Sequence, residues 1–311
     1  MACDAKIRMR DEFLDLKPYD PGFCAQEVVV SANENPFGMP DDVRAAALDA
    51  VAKVAFERYP DPLADALRDD IAAWHGLDRS RVVVGNGGDE LLFDLLLAFG
   101  GPDRVLIDCP PTFGIYALYA KLTGTRVRSI ARDAADFSLD EKAIEQAASQ
   151  ADIVMLASPN NPTGNTLDPA WIAALSRRVR GFVVVDEAYG EFADDATSCI
   201  GLLESCDNVA VLRTFSKAFA SAGLRCGYLL APPALVEGIA AVRQPYSVDV
   251  VSQAIARVVV GMRASFAPSV SAIKSERARM AEGLARIDGV SVWPSEGNFL
   301  LVRMAHAHAV Y

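Results

Sequence analysis

The chain has 311 residues, 51% of them hydrophobic and 23% charged, a composition typical of a folded globular protein. Its 30 basic and 41 acidic residues give a net charge of -11 without a basic run that could follow a phosphate backbone, so we expect no nucleic-acid partner. Residues 1–22 contain no continuous apolar stretch, which predicts neither a signal peptide nor a membrane anchor, and we expect a cytoplasmic protein.

Seven short, β-branched apolar runs alternate with helical patterns between residues 80 and 231. The runs begin at residues 81, 104, 125, 152, 182, 208 and 226. Asp89 and Asp168 stand where two of the helical patterns begin, and we expect both to be N-caps. Residues 183–185 are apolar on both faces, which is typical of strands covered by helices. The alternation predicts an α/β fold with a doubly wound, mostly parallel seven-stranded sheet flanked by helices.

A second, smaller domain is predicted where this alternation stops. From about residue 234 the chain has longer helical stretches, then the strand-like runs "VSVW" and "NFLLVRM". We expect residues 1–45 to join the small domain, residues 46–240 to form the large domain and residues 241–311 to complete the small one. Ligands of doubly wound sheets bind outside the carboxyl ends of the strands, so the residues that follow the predicted strands are the candidate site.

Histidine and cysteine are too few and too scattered to suggest a metal centre. The three histidines are His75, His306 and His308, and no two of the six cysteines form a CxxC pair. This pattern disfavours a zinc site, a disulfide framework and a serine or cysteine triad. We expect His75 to be structural and no metal to be bound. Chemistry would then depend on lysine, carboxylates, tyrosine or a cofactor.

Two loops that follow predicted strands could bind an anion or a polar ligand. The glycines of "GNGGDE", residues 85–90, let backbone N–H groups approach a phosphate at a helix N-terminus. A tight strand-to-helix turn explains the same residues. In "SPNNPTGN", residues 158–165, two prolines stiffen a loop that presents Asn160 and Asn161 to a ligand oxygen. A rigid turn alone would also account for those prolines.

The most informative stretch is "RTFSKAFASAGLRCGY", which places Lys217 among small and apolar residues. A partly desolvated lysine has a lowered pKa and can attack an aldehyde to form a Schiff base. Arg225, eight residues later, could bind a phosphate together with neighbouring hydroxyls. In "DEAYGEF", Asp186 ends an apolar strand, and it could be either a ligand or a helix cap.

Together these residues predict a pocket for pyridoxal phosphate. Lys217 would bind the aldehyde, and Asp186 would pair with the pyridinium nitrogen so that the ring accepts electrons. Asn161 and Tyr189 would hydrogen-bond the phenolic oxygen. Phe113, in "PPTFGIY" after another predicted strand, could stack on the ring face.

Nearly the whole chain resembles the fold-type I pyridoxal phosphate-dependent aminotransferases, and within them the histidinol-phosphate aminotransferase group. The general motifs are "GNGGDE", "PPTFGIYA", "ASPNNPTG", "VVVDEAYGEF", "RYPDP" and "PSEGNF". The narrower ones are "NENPFG", "AGLRCGY" and "RQPYSV". The resemblance implies an enzyme that uses an amino donor and an oxo acid, with L-histidinol phosphate and 2-oxoglutarate as substrates of histidine biosynthesis. It leaves open an aminotransferase for aromatic or other amino acids, a threonine-phosphate decarboxylase of the same fold, and, more remotely, a non-catalytic regulator that binds the cofactor.

The resemblance also implies roles for individual residues. It makes Lys217 the base that moves a proton to and from the substrate, and it implies a homodimer in which Tyr59 reaches the cofactor phosphate of the partner subunit. The residues implied to hold the phosphate in their own subunit are Gly88, Asp89, Thr214, Ser216 and Arg225. Those implied to lie near the substrate are Asn33, Asn35 and Asn298, with the rest of residues 33–36.

One departure from the resembled family concerns the end of the sequence. Relatives continue past the "NFLLVR" run with an arginine-bearing segment that binds the substrate anion, whereas this chain ends at Tyr311. We therefore expect the small domain to be incomplete at its C-terminus. Arg243 could substitute for the missing arginine, although an exposed helix charge is the favoured interpretation of that residue.

Overall fold

The computed structural model describes residues 9–18 and 29–307. Predictions that concern residues 1–8, 19–28 and 308–311, among them His308 and the chain end at Tyr311, lie outside the described residues. The chain divides into two compact units, Met1–Asn33 and Glu34–Tyr311. The described part of the first unit contains one 3-10 turn, Asp11–Phe13, with the Arg10 guanidinium 4.5 Å from the Phe13 ring. The predicted boundaries at residues 45 and 240 stay predictions.

The second unit is built on a seven-stranded sheet, as predicted. Its strands are β1 (Val82–Asn86), β2 (Val105–Asp108), β3 (Arg126–Ser129), β4 (Ile153–Ala157), β5 (Phe182–Asp186), β6 (Val209–Thr214) and β7 (Cys226–Leu230). Their order is β1-β7-β6-β5-β4-β2-β3, and β7 alone among these seven strands runs in the direction opposite to the others. The register pairs Asp186 of β5 with Leu212 of β6. Each of the seven apolar runs in the sequence forms one of these strands.

Helices cover both faces of the sheet and continue beyond it. They are α1 (Asp41–Val51), α2 (Asp65–His75), α3 (Gly87–Phe99), α4 (Ile115–Thr123), α5 (Glu141–Ala148), α6 (Pro169–Ser176), α7 (Pro233–Val242), α8 (Val250–Gly261) and α9 (Ala267–Ala285). Two short strands, β8 (Ser291–Val292) and β9 (Val302–Arg303), pair antiparallel near the end of the described chain.

Alternate residues of the buried strands enter two separate cores. Val183 and Val185 of β5 belong to one core, and Val184 belongs to the other. Because side chains alternate across a strand, both faces must be apolar, and this is why the strand sequences show no polar alternation. The α/β, doubly wound architecture is confirmed.

The two predicted N-caps have different outcomes. The Asp168 side chain accepts a hydrogen bond from the Ala170 N–H and caps α6, as predicted. The prediction for Asp89 is wrong, because α3 begins two residues earlier, at Gly87, with Asn86 as the flanking residue. Gly87 has a φ of +79°, a conformation open to glycine, and this lets the helix begin directly after β1.

Within residues 9–18 and 29–307, no single helix is both long and apolar enough to cross a membrane. The pair Val250–Gly261 and Arg263–Ala285 meets the length and composition requirement only jointly, and it is bent by 79°.

Candidate active site

The carboxyl edge of the sheet brings the predicted motifs together. β4, β5 and β6 are parallel neighbours, so the loops after Ala157, Asp186 and Thr214 leave the sheet at one edge. β1 runs in the same direction, since two antiparallel pairings separate it from β6. The turn after Asn86 therefore joins the same edge.

Asp186 is buried and accepts two hydrogen bonds at this edge. The Tyr116 hydroxyl donates to its Oδ2 over 2.6 Å, and the Ala188 N–H donates to its Oδ1 over 3.0 Å. Burial raises the pKa of Asp186 to about 6, although both donors favour the ionised form. The ion pairs found within residues 9–18 and 29–307 do not include it. Asp186 is thus a buried carboxyl group that could accept a further hydrogen bond from a cationic ligand.

Tyr116 is a site residue that the sequence analysis missed. It is fully buried in α4, and its ring meets the half-buried Phe113 edge to face, with the centroids 5.7 Å apart. The motif "PPTFGIYA" contains both residues, but only Phe113 received a role. The available signal was a tyrosine in the first turn of the helix that follows Phe113, three positions later in the chain.

Asn161 and Tyr189 lie together, whereas the Asn160 side chain has other partners, and the predicted contacts of all three with a cofactor stay predictions. The Asn161 Nδ2 donates to the Tyr189 hydroxyl over 3.3 Å. Asn160 is completely buried, and its Nδ2 donates to the Pro111 carbonyl over 3.0 Å and to the Thr163 hydroxyl over 2.7 Å. Asn160 therefore holds the loop together, and Asn161 is the residue of the pair that faces Tyr189.

Lys217 is half-buried in the loop after β6. Its Nζ lies 5.6 Å from the centroid of the Tyr189 ring. Burial lowers the pKa of its amine below the usual lysine value, and the carboxylates around it only partly offset this effect. The direction of the pKa shift agrees with the sequence analysis. The role of Lys217 as a nucleophile stays a prediction.

Hydroxyls and an arginine surround the N-terminus of α3. The Thr214 hydroxyl donates to the Ser216 Oγ over 2.9 Å. Arg225 has a φ of +48°, and its Nη1 donates to the Ala222 carbonyl over 3.2 Å. A Cβ on Gly87 would lie only 2.7 Å from the Arg225 Nη2, so the arginine packs directly on the start of the helix. Arginine, hydroxyls and a helix N-terminus together suit a phosphate.

Asp89 enters this arrangement as a partner of Arg225. The Arg225 Nη2 donates to the Asp89 Oδ2 over 3.1 Å. A carboxylate repels a phosphate, and the backbone N–H groups of Gly88 and Asp89, in the first turn of α3, are the donors that fit an anion. If Asp89 holds a phosphate, its backbone is the part that does so.

The residues expected near the substrate have separate surroundings. Asn35 is buried, and its Nδ2 donates to the Ala218 carbonyl over 3.0 Å, next to Lys217 in the chain. Asn298 lies between β8 and β9 beside Phe299, whose ring meets the Tyr189 ring at 5.0 Å between centroids. Asn33 has a φ of +53° and ends the first compact unit. Substrate contacts of all three asparagines stay predictions.

Arg243 is not the exposed helix charge that the sequence analysis favoured. Only 8% of it is exposed, and its Nη2 donates to the Ser247 Oγ over 2.7 Å. Burial lowers the pKa of its guanidinium, while Glu90 and Asp94 favour the charged form. That interpretation is wrong because α7 packs against α3 and turns the residue toward those carboxylates.

His75 is structural in the way the sequence analysis expected. Its Nε2 lies 3.0 Å from the hydroxyl of the buried Tyr228, and its ring stacks on Trp74 with the centroids 4.4 Å apart. Burial lowers the pKa of His75 to about 4, so it is neutral at physiological pH. It does not lie among the residues of the carboxyl-edge motifs.

The fold and this site define a class of protein. A desolvated lysine amine and a buried, ionised aspartate share the carboxyl edge of a mostly parallel sheet, next to a helix N-terminus with an arginine. These features belong to an α/β enzyme that can capture a phosphorylated carbonyl compound through an amine.

Comparisons with known proteins identify the family. Residues 25–310 match the sequence profile of aminotransferase class I and II. A histidinol-phosphate aminotransferase of Thermococcus kodakarensis is 37% identical over 97% of this chain and 86% of its own length. Histidinol-phosphate aminotransferase 1 of Carboxydothermus hydrogenoformans is 40% identical over 94% of this chain and 83% of its own length.

A solved structure extends the likeness to the fold. The histidinol-phosphate aminotransferase from Sinorhizobium meliloti, in complex with pyridoxal-5'-phosphate, has a TM-score of 0.79 and 25% identity, with 87% of this chain and 74% of that chain covered. The chain belongs to the aminotransferase class I and II family. The expected resemblance is confirmed, and so is the expectation of an aminotransferase rather than a non-catalytic regulator.

Proposed function

We propose that this protein is a pyridoxal phosphate-dependent aminotransferase of histidine biosynthesis, which transfers the amino group of L-histidinol phosphate to 2-oxoglutarate and forms imidazole acetol phosphate and L-glutamate. The observation that carries the proposal is the pair formed by Asp186, a buried carboxylate outside the ion pairs of residues 9–18 and 29–307, and Lys217, whose amine has a lowered pKa. The names of the curated relatives support the choice of substrate.

The chemistry of the described residues fits pyridoxal phosphate at each end of that molecule. Lys217 would take the aldehyde, and Asp186 would take the ring nitrogen. The phosphate would lie at the start of α3, where Arg225 packs on Gly87 at a distance that leaves no room for a Cβ. Thr214 and Ser216 would complete that end with their hydroxyls.

When bound, the cofactor supplies a ring that accepts electrons as the substrate Cα–H bond ionises. Asp186 would hold the proton on the ring nitrogen, because its carboxylate is ionised above a pH of about 6. Tyr116 orients that carboxylate by donating to one oxygen, which leaves other lone pairs of the carboxylate for the cofactor. Phe113 would lie against the face of the ring.

Lys217 would move the proton of the reaction. Burial lowers the pKa of the Lys217 amine and so favours its neutral form, in which the Nζ would accept the proton from the substrate Cα and deliver it to C4′ of the cofactor. Asn161 and Tyr189 are linked by a hydrogen bond and would orient the phenolic oxygen as one unit. Tyr189 also packs against Phe299, which limits the movement of its ring.

The proposal is tested by following the absorbance of the protein with pyridoxal phosphate. We expect a band from the Lys217-bound cofactor, and addition of L-histidinol phosphate without an oxo acid should convert it to the pyridoxamine form. The Lys217→Ala variant should lack the first band. A band that persists with L-histidinol phosphate but responds to an aromatic donor, or carbon dioxide release from threonine phosphate, would contradict the proposed substrate. No band at all would contradict the cofactor.

We infer that the protein works as a homodimer whose sites are shared. Tyr59 is 82% exposed, and its ring stacks on Tyr246, with centroids 4.8 Å apart. Phe56 and Leu63 are exposed nearby in the sequence, and clustered exposed aromatics are typical of interfaces. Mixing the Tyr59→Phe and Lys217→Ala variants should give a hybrid with one intact site and more activity than either parent. Activity no higher than the Tyr59→Phe parent would contradict this inference.

We also propose a reducing, cytoplasmic environment. The cysteines in the described part of the chain, Cys109, Cys199, Cys206 and Cys226, are buried free thiols, and such thiols are typical of reducing compartments. Fractionation of cells that express a tagged full chain tests this, and recovery outside the cytoplasm would contradict it.

A further inference from the structure

A buried ion network lies beneath the candidate site and has no role in the proposed reaction. Arg213, at the end of β6, is 7% exposed. Its Nε and Nη2 donate to Oε2 of Glu187 over 3.0 Å and 2.6 Å, and its Nη1 donates to Oε1 of Glu191 over 2.8 Å. We call Arg213, Glu187, Glu191 and Ser198 the acidic clamp.

The fourth member completes the hydrogen bonding of the acidic clamp. The Ser198 hydroxyl donates to Oε2 of Glu187 over 2.9 Å, and Arg213 Nη2 donates to the Ser198 Oγ over 3.1 Å. The Cys199 N–H donates to the other Glu187 oxygen over 2.5 Å. Both Glu187 oxygens are therefore engaged within the protein, and Oε2 accepts three of these hydrogen bonds.

The acidic clamp and Asp186 occupy opposite faces of the sheet. Glu187 follows Asp186, and side chains of consecutive strand residues point in opposite directions. Tyr116, the partner of Asp186, belongs to the core with Val184, whereas Arg213 continues the alternation of Val211 into the other core. The acidic clamp therefore does not touch the Asp186 side chain. It can influence Asp186 only by fixing the backbone next to it and through the electric field of the clamp charges.

The clamp residues are interleaved with the site residues along the chain. Glu187 directly follows Asp186, Glu191 lies two residues after Tyr189, and Arg213 directly precedes Thr214. A Cβ on Gly190 would lie 2.8 Å from the Arg213 Cζ, so the guanidinium packs on the backbone between Tyr189 and Glu191. The ion pairs therefore link the turn after β5 to the end of β6.

Electrostatic interactions are a second connection between the acidic clamp and the candidate site. Glu187 helps to raise the pKa of Asp186, after the larger effect of burial. Burial raises the pKa of Glu191, and Arg213 opposes that shift. The Arg213 guanidinium is therefore paired with two carboxylates in the layer beneath the site.

We propose that the acidic clamp is a positioning device, which fixes Asp186 and Tyr189 relative to Thr214 and Lys217 so that one cofactor molecule meets all of them. The inference rests on the proposed function. It makes Arg213, Glu187 and Glu191 positioning residues, because they act through the backbone and not on the reacting atoms. Loosening the clamp should weaken the hydrogen bond that Tyr189 offers to the phenolic oxygen, and this should raise the pH at which the band of the Lys217-bound cofactor changes.

The test compares Arg213→Lys with a control at the opposite edge of the sheet. Lysine keeps the charge but cannot bind two carboxylates in the same fork geometry. Asp152→Asn is the control, because Asp152 also bonds two arginines, Arg104 and Arg180, before β4. Tyr189→Phe marks the direction of the spectral shift. If Arg213→Lys does not fold, Glu191→Gln is used instead. It keeps the shape of the side chain and replaces one of the two carboxylates that bind Arg213 with a neutral amide.

Three quantities are measured for each variant: the cofactor dissociation constant, the pH midpoint of the absorbance band and the thermal midpoint without cofactor. We expect Arg213→Lys to weaken cofactor binding about tenfold and to move the pH midpoint upward, as Tyr189→Phe does. Asp152→Asn should lower the thermal midpoint and leave both cofactor quantities unchanged. A clamp variant with wild-type cofactor quantities and a lower thermal midpoint would overturn the inference. Failure of the wild-type protein to show the band would instead overturn the proposed function.

Discussion

Each end of the central sheet buries an aspartate, and the two have opposite surroundings. Before β4, at the amino edge, Asp152 accepts hydrogen bonds from Arg104 over 2.9 Å, from the Val105 N–H over 2.9 Å and from Arg180. Burial alone would raise its pKa, but these donors outweigh burial and lower it. At the carboxyl edge, Asp186 accepts hydrogen bonds from Tyr116 and from the Ala188 N–H but forms no ion pair in the described part of the chain, and burial raises its pKa to about 6.

The different surroundings indicate that Asp152 is a structural carboxylate and that Asp186 is available to a ligand. A buried charge without a counterion is costly, so a fold keeps one mainly where function requires it. Asp152 obtains its counterions from its own chain, whereas Asp186 would obtain one from a cationic ring nitrogen. The same residue type therefore has different roles because different partners surround it.

The largest expected effect comes from replacing each of the two aspartates with asparagine. Asp186→Asn should reduce kcat/KM by roughly 100- to 1000-fold, because it removes the charge opposite the ring nitrogen, and should leave the fold intact. Asp152→Asn should leave kcat/KM unchanged but lower the free energy of unfolding by about 1–3 kcal/mol, since a buried network loses its anion. Steady-state kinetics and urea unfolding of both variants measure these effects. Equal activity losses in both would remove the distinction.

The two aspartates should also give the stability of the cofactor-free protein opposite pH dependences. The folded pKa of Asp186 lies above the usual aspartate value of 3.8, so its contribution to stability is present below that value and is lost as pH rises through about 6. The pKa of Asp152 is lowered, so its contribution to stability is present above the usual value and is lost as pH falls through its folded pKa. In the wild-type protein, the free energy of unfolding should fall by up to about 3 kcal/mol between pH 4 and 6 because of Asp186, and this fall should be absent in Asp186→Asn. Urea midpoints across that range decide it, and an unchanged slope would contradict the raised pKa.

A smaller effect concerns the hydrogen bond from Tyr116. Tyr116→Phe removes a donor that favours the ionised form of Asp186, so the pKa of that carboxyl should rise further. The acidic limb of the activity profile should move up by about one pH unit. Tyr228→Phe is the matched control, because it removes an equally buried hydroxyl whose partner is His75. A similar shift in both variants would show that loss of packing, and not the hydrogen bond, is responsible.

The sequence predicts the strands well for a physical reason. The central strands β4, β5, β6 and β7 are buried on both faces, so their sequences are short apolar runs that few other structures produce. The motif residues follow these strands, and the parallel topology alone brings Asp186 and Thr214 to one edge. Lys217 stands out because its neighbours in the chain are small and apolar, which is a local property.

Contacts that join distant parts of the chain were not predicted. Tyr116 bonds Asp186 across 70 residues, and Arg213 bonds Glu187 across 26 residues. The side chain of Arg243 points into a cluster that forms only once α7 packs on α3. The misplaced cap at Asp89 has a local origin instead, since α3 begins at Gly87, whose φ is positive. Secondary-structure propensity and the spacing of residues along the chain do not indicate which distant side chains come into contact.

The smallest expected effect sharpens the comparison at the amino edge. Arg104 is 56% exposed, and its loss in Arg104→Ala leaves Asp152 with Arg180 and the Val105 N–H. Solvent screens a half-exposed charge, so the free energy of unfolding should fall by about 1 kcal/mol or less, without any change in the absorbance of bound cofactor. Urea unfolding and a spectrum at one pH measure both. A much larger loss of stability would mean that the half-exposed Arg104 contributes as much as a buried charge. Solvent exposure would then not explain why charges at the two edges of the sheet differ in their effect.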